Sequence, residues 1–164
     1  MNDLTHGALL LAIQITGCRE EAMDILQTAL MKALEKDNAP KPGDRTYKAW
    51  LYRVVHNASL DWLRRRKKFV DSAVVLETPV DADPGDEIDK DRRKVLLHTA
   101  LSHLAPQQRE IVCLKDFHDL SYDEIAQVIA VEKGTVMSRL HRARMALKEE
   151  LIKLNVFPGE NHEL

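Results

Sequence analysis

The sequence predicts an all-α protein of two small helical domains joined by an acidic flexible linker. Its 164 residues can form two small domains, and only six Gly and six Pro interrupt a chain rich in helix-forming residues. The charge is uneven along the chain: residues 1–69 carry 12 Lys and Arg against 8 Asp and Glu. Residues 70–91 carry a single Lys against 8 acids, and residues 92–164 carry 11 basic against 10 acidic residues.

The first block, residues 1–69, is predicted to form three helices. An apolar run from Leu9 to Ile15 ends at Gly17, and the second helix begins near Arg19, where two following acids favour a helix N-terminus. That helix ends near Lys36, because the next residues contain two prolines and a glycine. The third helix covers about residues 46–68, and its apolar positions recur at helical spacing. Its predicted buried stripe is Leu51, Val54, Val55, Ala58 and Trp62.

Residues 70–91 are predicted to be the linker, because they hold Thr78-Pro79, Asp83-Pro84-Gly85 and an excess of acids without helical or strand periodicity. The second domain, residues 92–157, is predicted to contain four short helices, and residues 158–164 a frayed tail. The predicted helices cover about residues 91–104, 106–116, 121–129 and 133–154.

The last two of these helices have the pattern of a helix-turn-helix, whose second helix enters the major groove of DNA. Ser121 and Glu124 have the spacing of a capping box, and a short turn separates the two helices. Hydroxyl and guanidinium groups lie opposite the apolar stripe of the second helix, and such groups hydrogen-bond phosphates and base edges. An ordinary amphipathic hairpin with a solvated basic face remains the alternative. Arg144 lies near the buried stripe and is interpreted as structural.

This C-terminal segment resembles region four of the extracytoplasmic-function (ECF) sigma factors of the sigma-70 family. The resemblance rests on residues 120–126 (LSYDEIA), 134–136 (GTV) and 138–144 (SRLHRAR). It implies recognition of the minus-thirty-five promoter element. The implied contacts are Tyr122, Thr135, Ser138, Arg139 and Arg142. Two positions depart from the family: Met137 replaces a usually basic residue, and Ala130 replaces a usual turn glycine.

Residues 22–30 (AMDILQTAL) resemble the core-binding segment of sigma region two. The resemblance implies that Asp24 and Gln27, which share a helix face with Met31, dock on the β′ clamp of core RNA polymerase. Thr28 stands where an acid is common. An ordinary solvated helix face is the alternative interpretation of this surface.

Residues 49–66 resemble the helix with which these factors read and melt the minus-ten element. The implied contacts are Trp50, Arg53, Asn57, Arg64 and Arg65. Asp61 is expected to orient Arg64 or Asn57. Family members usually carry roughly one more helix before the position at which this sequence starts, and residues 1–7 are not expected to supply it. Apolar surface on the first helix is therefore expected to be exposed or covered by a partner. Residues 37–45 lack the aromatic-basic-glycine sequence that commonly shapes the pocket for a flipped-out base.

The resemblance therefore predicts a transcription initiation factor that binds core RNA polymerase (β′ clamp and β flap) and promoter DNA, with an anti-sigma factor as regulator. A helix-turn-helix regulator acting without polymerase is the first alternative, and a helical partner-binding module the second. No catalytic constellation or cofactor motif is evident, and the seven histidines lack metal-ligand spacing. The two cysteines are expected to be reduced. No signal peptide and no membrane insertion are predicted, so the expected location is the cytoplasm.

Overall fold

The computed structural model describes residues 3–67 and 88–154, with main-chain placement only at residues 88 and 89. Within these ranges the chain is helical and contains no strand, which confirms the predicted all-α fold. The elements are α1 (Asp3–Thr16), α2 (Arg19–Glu35), α3 (Tyr47–Lys67), α4 (Ile88–His103), α5 (Pro106–Val112), a π-helical segment (Cys113–Phe117), α6 (Tyr122–Ile129) and α7 (Lys133–Lys153). Most of the predicted linker and the predicted tail lie outside the described residues.

Three boundaries differ from the prediction. Helix α1 begins at Asp3 rather than Leu9, and the half-buried Leu4 of its first turn packs against the core. Helix α4 begins at Ile88, inside the stretch predicted as linker. The predicted helix over residues 106–116 changes into a π-helical turn, in which the backbone N–H of His118 donates to the carbonyl of Cys113. Apolar periodicity does not report such a change of hydrogen-bonding pattern.

The N-terminal domain is built around α1, which packs against both α2 and α3. Ala8 and Ala12 are fully buried and let the helices approach closely. Gly7 allows the closest approach, because a Cβ at this position would overlap the hydroxyl of Tyr52 on α3. Much of the apolar surface of α1 is therefore covered within the chain, although Leu10 remains 41% exposed.

Helix α3 is buried along two sides rather than one. Leu51 and Val55 of the predicted stripe are fully buried, while the other three stripe residues are half-buried. A second row, spaced i, i+4 and i+7, was not predicted. It consists of the buried side chains Tyr52, His56 and Ser59. This row faces the C-terminal domain: Tyr52 contacts His118 and His56 pairs with Glu110 on α5. Helix α6 also packs against α3.

In the C-terminal domain α7 packs against α4, α5 and α6. Its residues Val136, Leu140 and Ala143 are buried as predicted. The capping box is also present: the Ser121 hydroxyl accepts from the Glu124 N–H, and the Glu124 carboxylate accepts from the Ser121 N–H. These bonds fix the start of α6 and thereby the angle at which it meets α7.

The turn between α6 and α7 contains Ala130 in a left-handed conformation, with φ 55° and ψ 51°. A Cβ disfavours this conformation by about 1 kcal/mol, whereas glycine adopts it freely. We therefore expect Ala130→Gly to raise the free energy of unfolding by roughly 1 kcal/mol or slightly less, measured by urea denaturation. Gln127→Gly, at an exposed position inside α6, is the control and should lower stability by a similar amount. A lower urea midpoint for Ala130→Gly than for the unaltered chain would show that the left-handed conformation of Ala130 does not destabilise the fold.

Candidate nucleic-acid interface

The first candidate surface is the outward face of α7. Ser138, Arg139 and Arg142 are exposed, and Thr135 is half-buried beside them. The Ser138 hydroxyl donates to the Thr135 carbonyl at 3.1 Å, and Arg142 Nε donates to the Ser138 carbonyl at 3.4 Å. These local bonds hold the Ser138 hydroxyl and Arg142 Nε against the helix backbone, while the Arg142 side chain as a whole is exposed.

Tyr122, at the first turn of α6, borders this face. Its ring is half-buried and lies 5.3 Å from the ammonium of Lys115. Lys115 also donates to the carbonyl of Leu120 at 3.1 Å, so this cation connects the π-helical segment to the start of α6. The arrangement holds the Tyr122 ring next to the helix-turn-helix instead of leaving it free in solvent.

Arg144 has a different role from the other arginines of α7. It forms a two-pronged pair with Asp116, in which Nε lies 3.1 Å from Oδ2 and a second nitrogen also donates to the carboxylate. Hydrogen bonding to Asp116 raises the pKa of Arg144. The pair attaches α7 to the π-helical segment, which agrees with the structural role predicted from the sequence.

The second candidate surface lies on α3. Arg53, Asn57, Arg64 and Arg65 are exposed on this helix, and Trp50 is half-buried with its ring stacked on Tyr47, the centroids 6.1 Å apart. An anchored, partly exposed indole is suited to stacking on an unpaired base.

Asp61 contacts both arginines near the end of α3. Its carboxylate accepts from Arg64 at 3.3 Å, and its backbone carbonyl accepts from Arg65 Nε at 3.4 Å. Of the two predicted partners of Asp61, the structure therefore shows Arg64. Asn57 instead lies beside His56, with 3.4 Å between Oδ1 and Nδ1. The carboxylate thus restricts Arg64 and the backbone carbonyl restricts Arg65, while both arginines stay exposed.

The third candidate surface is the exposed face of α2. Asp24, Gln27 and Met31 lie together on it as predicted, and Met31 is 58% exposed. Met23 and Leu34 extend the same face, and Leu34 is 88% exposed. These two residues were missed, although their spacing from Gln27 and Met31 already indicated one helix face. An exposed apolar patch among polar side chains is typical of a protein-docking site.

The two domains meet where α3 faces α6. Arg53, at the edge of the α3 surface, lines an open cleft whose other wall is the helix-turn-helix. That wall consists of Ala126, Gln127, Ala130, Val131 and Glu132. Histidines 56 and 118 form hydrogen bonds across this interface, as does Lys48 with the Asp119 carbonyl. Neither histidine was singled out from the sequence.

Among the described residues, no group of three or more His, Cys, Asp or Glu side chains could hold a metal ion. Burial raises the pKa of the Cys113 thiol to about 11, so it stays protonated at neutral pH. No helix in the described ranges is long and apolar enough to cross a membrane.

Comparison with known proteins covers both domains. Residues 6–69 match Sigma-70 region 2, and residues 94–147 match Sigma-70, region 4. The chain is 31% identical over 155 residues to the ECF RNA polymerase sigma factor SigL of Mycobacterium tuberculosis, covering 92% of this chain and 87% of that protein. The chain belongs to the ECF sigma factors. These are transcription initiation factors that direct RNA polymerase to promoters, and the match of residues 6–69 does not favour a regulator acting without polymerase.

Other relatives differ in length. The chain is 35% identical to the RNA polymerase sigma-E factor of Streptomyces coelicolor, over 80% of this chain and 72% of that protein. It is 33% identical to the ECF sigma factor SigE of Mycolicibacterium smegmatis, over 87% of this chain and 56% of that protein. The chain thus spans little more than half the length of this SigE.

Two solved structures share the fold. The sigma factor RpoE in complex with the anti-sigma factor NepR, from Bartonella quintana, matches with a TM-score of 0.73 and 26% identity, covering 93% of both chains. CnrH, in complex with the cytosolic domain of CnrY, matches with a TM-score of 0.61 over 91% of this chain and 82% of CnrH. At 19% identity, the second likeness shows the fold alone.

Proposed function

We propose that this sigma factor docks on core RNA polymerase through the α2 face and reads promoters with the exposed faces of α3 and α7. One observation carries the proposal. Each domain has its own exposed polar surface, and these surfaces lie at the positions to which the resemblance assigns polymerase docking and promoter recognition in sigma regions two and four. The proposed division is residues 1–69 for polymerase binding and the minus-ten element, and residues 92–157 for the minus-thirty-five element. The segment between them is the proposed connector.

On α7, Arg139 and Arg142 are the proposed readers of the minus-thirty-five element, supported by Thr135, Ser138 and Tyr122. An arginine fork can bind guanine bidentately, and the hydroxyl groups suit phosphates or base edges. Met137 is 51% exposed on the same helix. The Met137 thioether adds an apolar contact instead of a charge. The preference of this sigma factor among minus-thirty-five elements should therefore differ from that of relatives with a basic residue at this position.

On α3, Trp50, Arg53 and Asn57 are the proposed contacts with the unpaired bases of the minus-ten element. Arg64 and Arg65 are the proposed contacts with its phosphates. Stacking on an indole and hydrogen bonding by an amide are contacts that single-stranded DNA accepts readily. The arginines neutralise phosphate charges and so release counterions from the DNA. The attraction that this adds weakens as the salt concentration rises.

The proposed regulator is an anti-sigma factor, because the sigma factor RpoE named above was determined in complex with the anti-sigma factor NepR. We propose that the chain acts in the cytoplasm without catalysis of its own. The polymerase would then catalyse RNA synthesis, and this chain would provide the affinity and selectivity with which the polymerase binds promoters.

The α2 face provides the test of polymerase docking. We expect Asp24→Ala/Gln27→Ala to weaken binding to core RNA polymerase tenfold or more, because each change removes a polar contact worth on the order of 1 kcal/mol. Binding is measured by titration with labelled sigma, and promoter selectivity by run-off transcription from a promoter library. Glu21→Ala, which removes one acid from α2 outside this face, should leave both unchanged. Absence of core binding by the unaltered chain would overturn the proposal.

A further inference from the structure

Helix α7 carries an exposed thioether near its start. Met137 is 51% exposed, whereas the neighbouring Val136 and Leu140 are 0% and 2% exposed. With about 3.6 residues per turn, positions 134, 137, 138 and 141 lie on the outward side of α7, away from the buried stripe. Met137 therefore lies outside the hydrophobic core of this domain, and packing within the chain does not explain an apolar residue at this position.

The turn before Met137 leaves room for another molecule. A side chain on an α-helix covers the turn N-terminal to its own Cα, and for Met137 that turn contains Gly134. A Cβ at Gly134 would meet no side chain within 4 Å, apart from those of its two chain neighbours. A DNA surface can therefore approach the start of α7 closely, and the flexible thioether can adjust its shape to that surface.

The chemistry around Met137 favours an apolar contact over a phosphate contact. Lys133 Nζ, in the first turn of α7, lies 3.3 Å from Asp123 Oδ2 on α6, which offsets its charge. The Ser138 hydroxyl donates to the Thr135 carbonyl at 3.1 Å. Met137 has no hydrogen-bond donor, and its sulfur is a weak acceptor. A phosphate oxygen would therefore gain nothing from this side chain.

One group on the base edges matches a thioether. In the major groove the 5-methyl group of thymine is the apolar group that proteins read, and the other groups read there are hydrogen-bond donors or acceptors. Covering such a polar group with a thioether would remove water from it without replacing the hydrogen bond. The N-terminal residues of the second helix of a helix-turn-helix contact base edges, and Met137 is the fifth residue of α7.

We propose that Met137 is a specificity-determining residue that contacts the methyl group of one thymine in the minus-thirty-five element. The inference rests on the proposed function, which assigns the outward face of α7 to that element. It adds the base that this residue selects and the group by which the base is recognised.

The test replaces each thymine of the minus-thirty-five element, one at a time, with deoxyuridine, which lacks only the methyl group. The element is taken from the promoter library, and affinity is measured by competition between duplexes with core polymerase present. At one thymine position we expect deoxyuridine to weaken binding about fourfold, the factor that burial of one methyl group contributes. When cytosine replaces this thymine, 5-methylation of the cytosine should strengthen binding by a similar factor.

Three variants assign this effect to the thioether. Met137→Ala should bind the thymine and deoxyuridine duplexes equally at that position, because the side chain that contacts the methyl group has been removed. Met137→Leu should retain most of the difference, since it keeps an extended apolar side chain. Met145→Ala is the matched control, because Met145 is 47% exposed on the outward side of the same helix, about two turns further along. It should leave the difference between the duplexes unchanged.

The outcomes separate this contact from the function on which it rests. The thymine contact would be overturned if no thymine position responded to loss of its methyl group, or if Met137→Ala responded as strongly as the unaltered chain. In that case a preference of the unaltered chain for the cognate duplex over one with a scrambled element would still support the proposed function. Equal binding of these two duplexes by the unaltered chain would instead overturn the proposed role of α7, and the thymine contact with it.

Discussion

Arg139→Ala/Arg142→Ala is expected to lower affinity for a duplex carrying the minus-thirty-five element by about 30-fold or more. Both guanidiniums are exposed on the outward face of α7, and each base contact by an arginine is worth about 1–3 kcal/mol. Binding is measured with core polymerase present, by competition between the cognate duplex and one with a scrambled minus-thirty-five element. The variant should lose most of its discrimination between the two duplexes.

The control for this change is Lys148→Ala/Lys153→Ala, which removes two cations from exposed positions in the C-terminal half of the same helix. It should preserve discrimination and lower affinity only slightly for both duplexes. The salt dependence separates the roles further, since losing a phosphate contact reduces the slope of log affinity against log salt by about one. If the arginine variant weakens both duplexes equally and retains discrimination, Arg139 and Arg142 bind only the backbone.

Local signals in the sequence predicted most of the secondary structure. The capping box at Ser121 and Glu124 places the start of α6, and Pro106 marks the start of α5. The apolar stripe of α7 gave the correct buried face, which also identified its exposed arginines. These features depend on neighbours within a few residues, and therefore periodicity and capping chemistry are sufficient to predict them.

The features that were missed depend on residues far apart in the chain. Tyr52, His56 and Ser59 are polar or amphipathic, so their residue types do not indicate that a second domain buries them. Their partners lie far away in the chain: Glu110 is 54 positions from His56, and His118 is 66 positions from Tyr52. The sequence predicts that apolar surface on the first helix is exposed or covered by a partner, but it does not indicate that His118 of the C-terminal domain contacts this helix. Spacing at i, i+4 and i+7 was the only available sign of the second buried row.

The packing of the two domains against each other is expected to weaken at acidic pH through His118. Its Nε2 lies 3.0 Å from Gln14 Oε1 on α1, and its Nδ1 lies 3.3 Å from the Tyr52 hydroxyl on α3. While the domains are in contact, burial lowers the pKa of His118 to about 4, and the nearby Lys48 adds to the shift. Its other neighbours do not titrate near neutral pH: Gln14 is an amide, and burial raises the pKa of Tyr52 to about 12. Once the domains separate, the imidazole is in water and its pKa returns to about 6.5.

The packed domains bind this proton more weakly than the separated domains, and this difference sets the sign of the effect. The contribution of His118 to the domain packing is complete above about pH 6.5 and is lost as the pH falls toward 4, where the total loss approaches 3 kcal/mol. Between pH 7.5 and 5.5 the ratio of packed to separated molecules should fall about tenfold, measured as an increase in radius of gyration. His118→Gln keeps a donor and an acceptor but cannot be protonated, so it should lose this pH dependence. A radius that responds to pH equally in both proteins would show that His118 is not the titrating group, because its proton is the only one that the substitution removes.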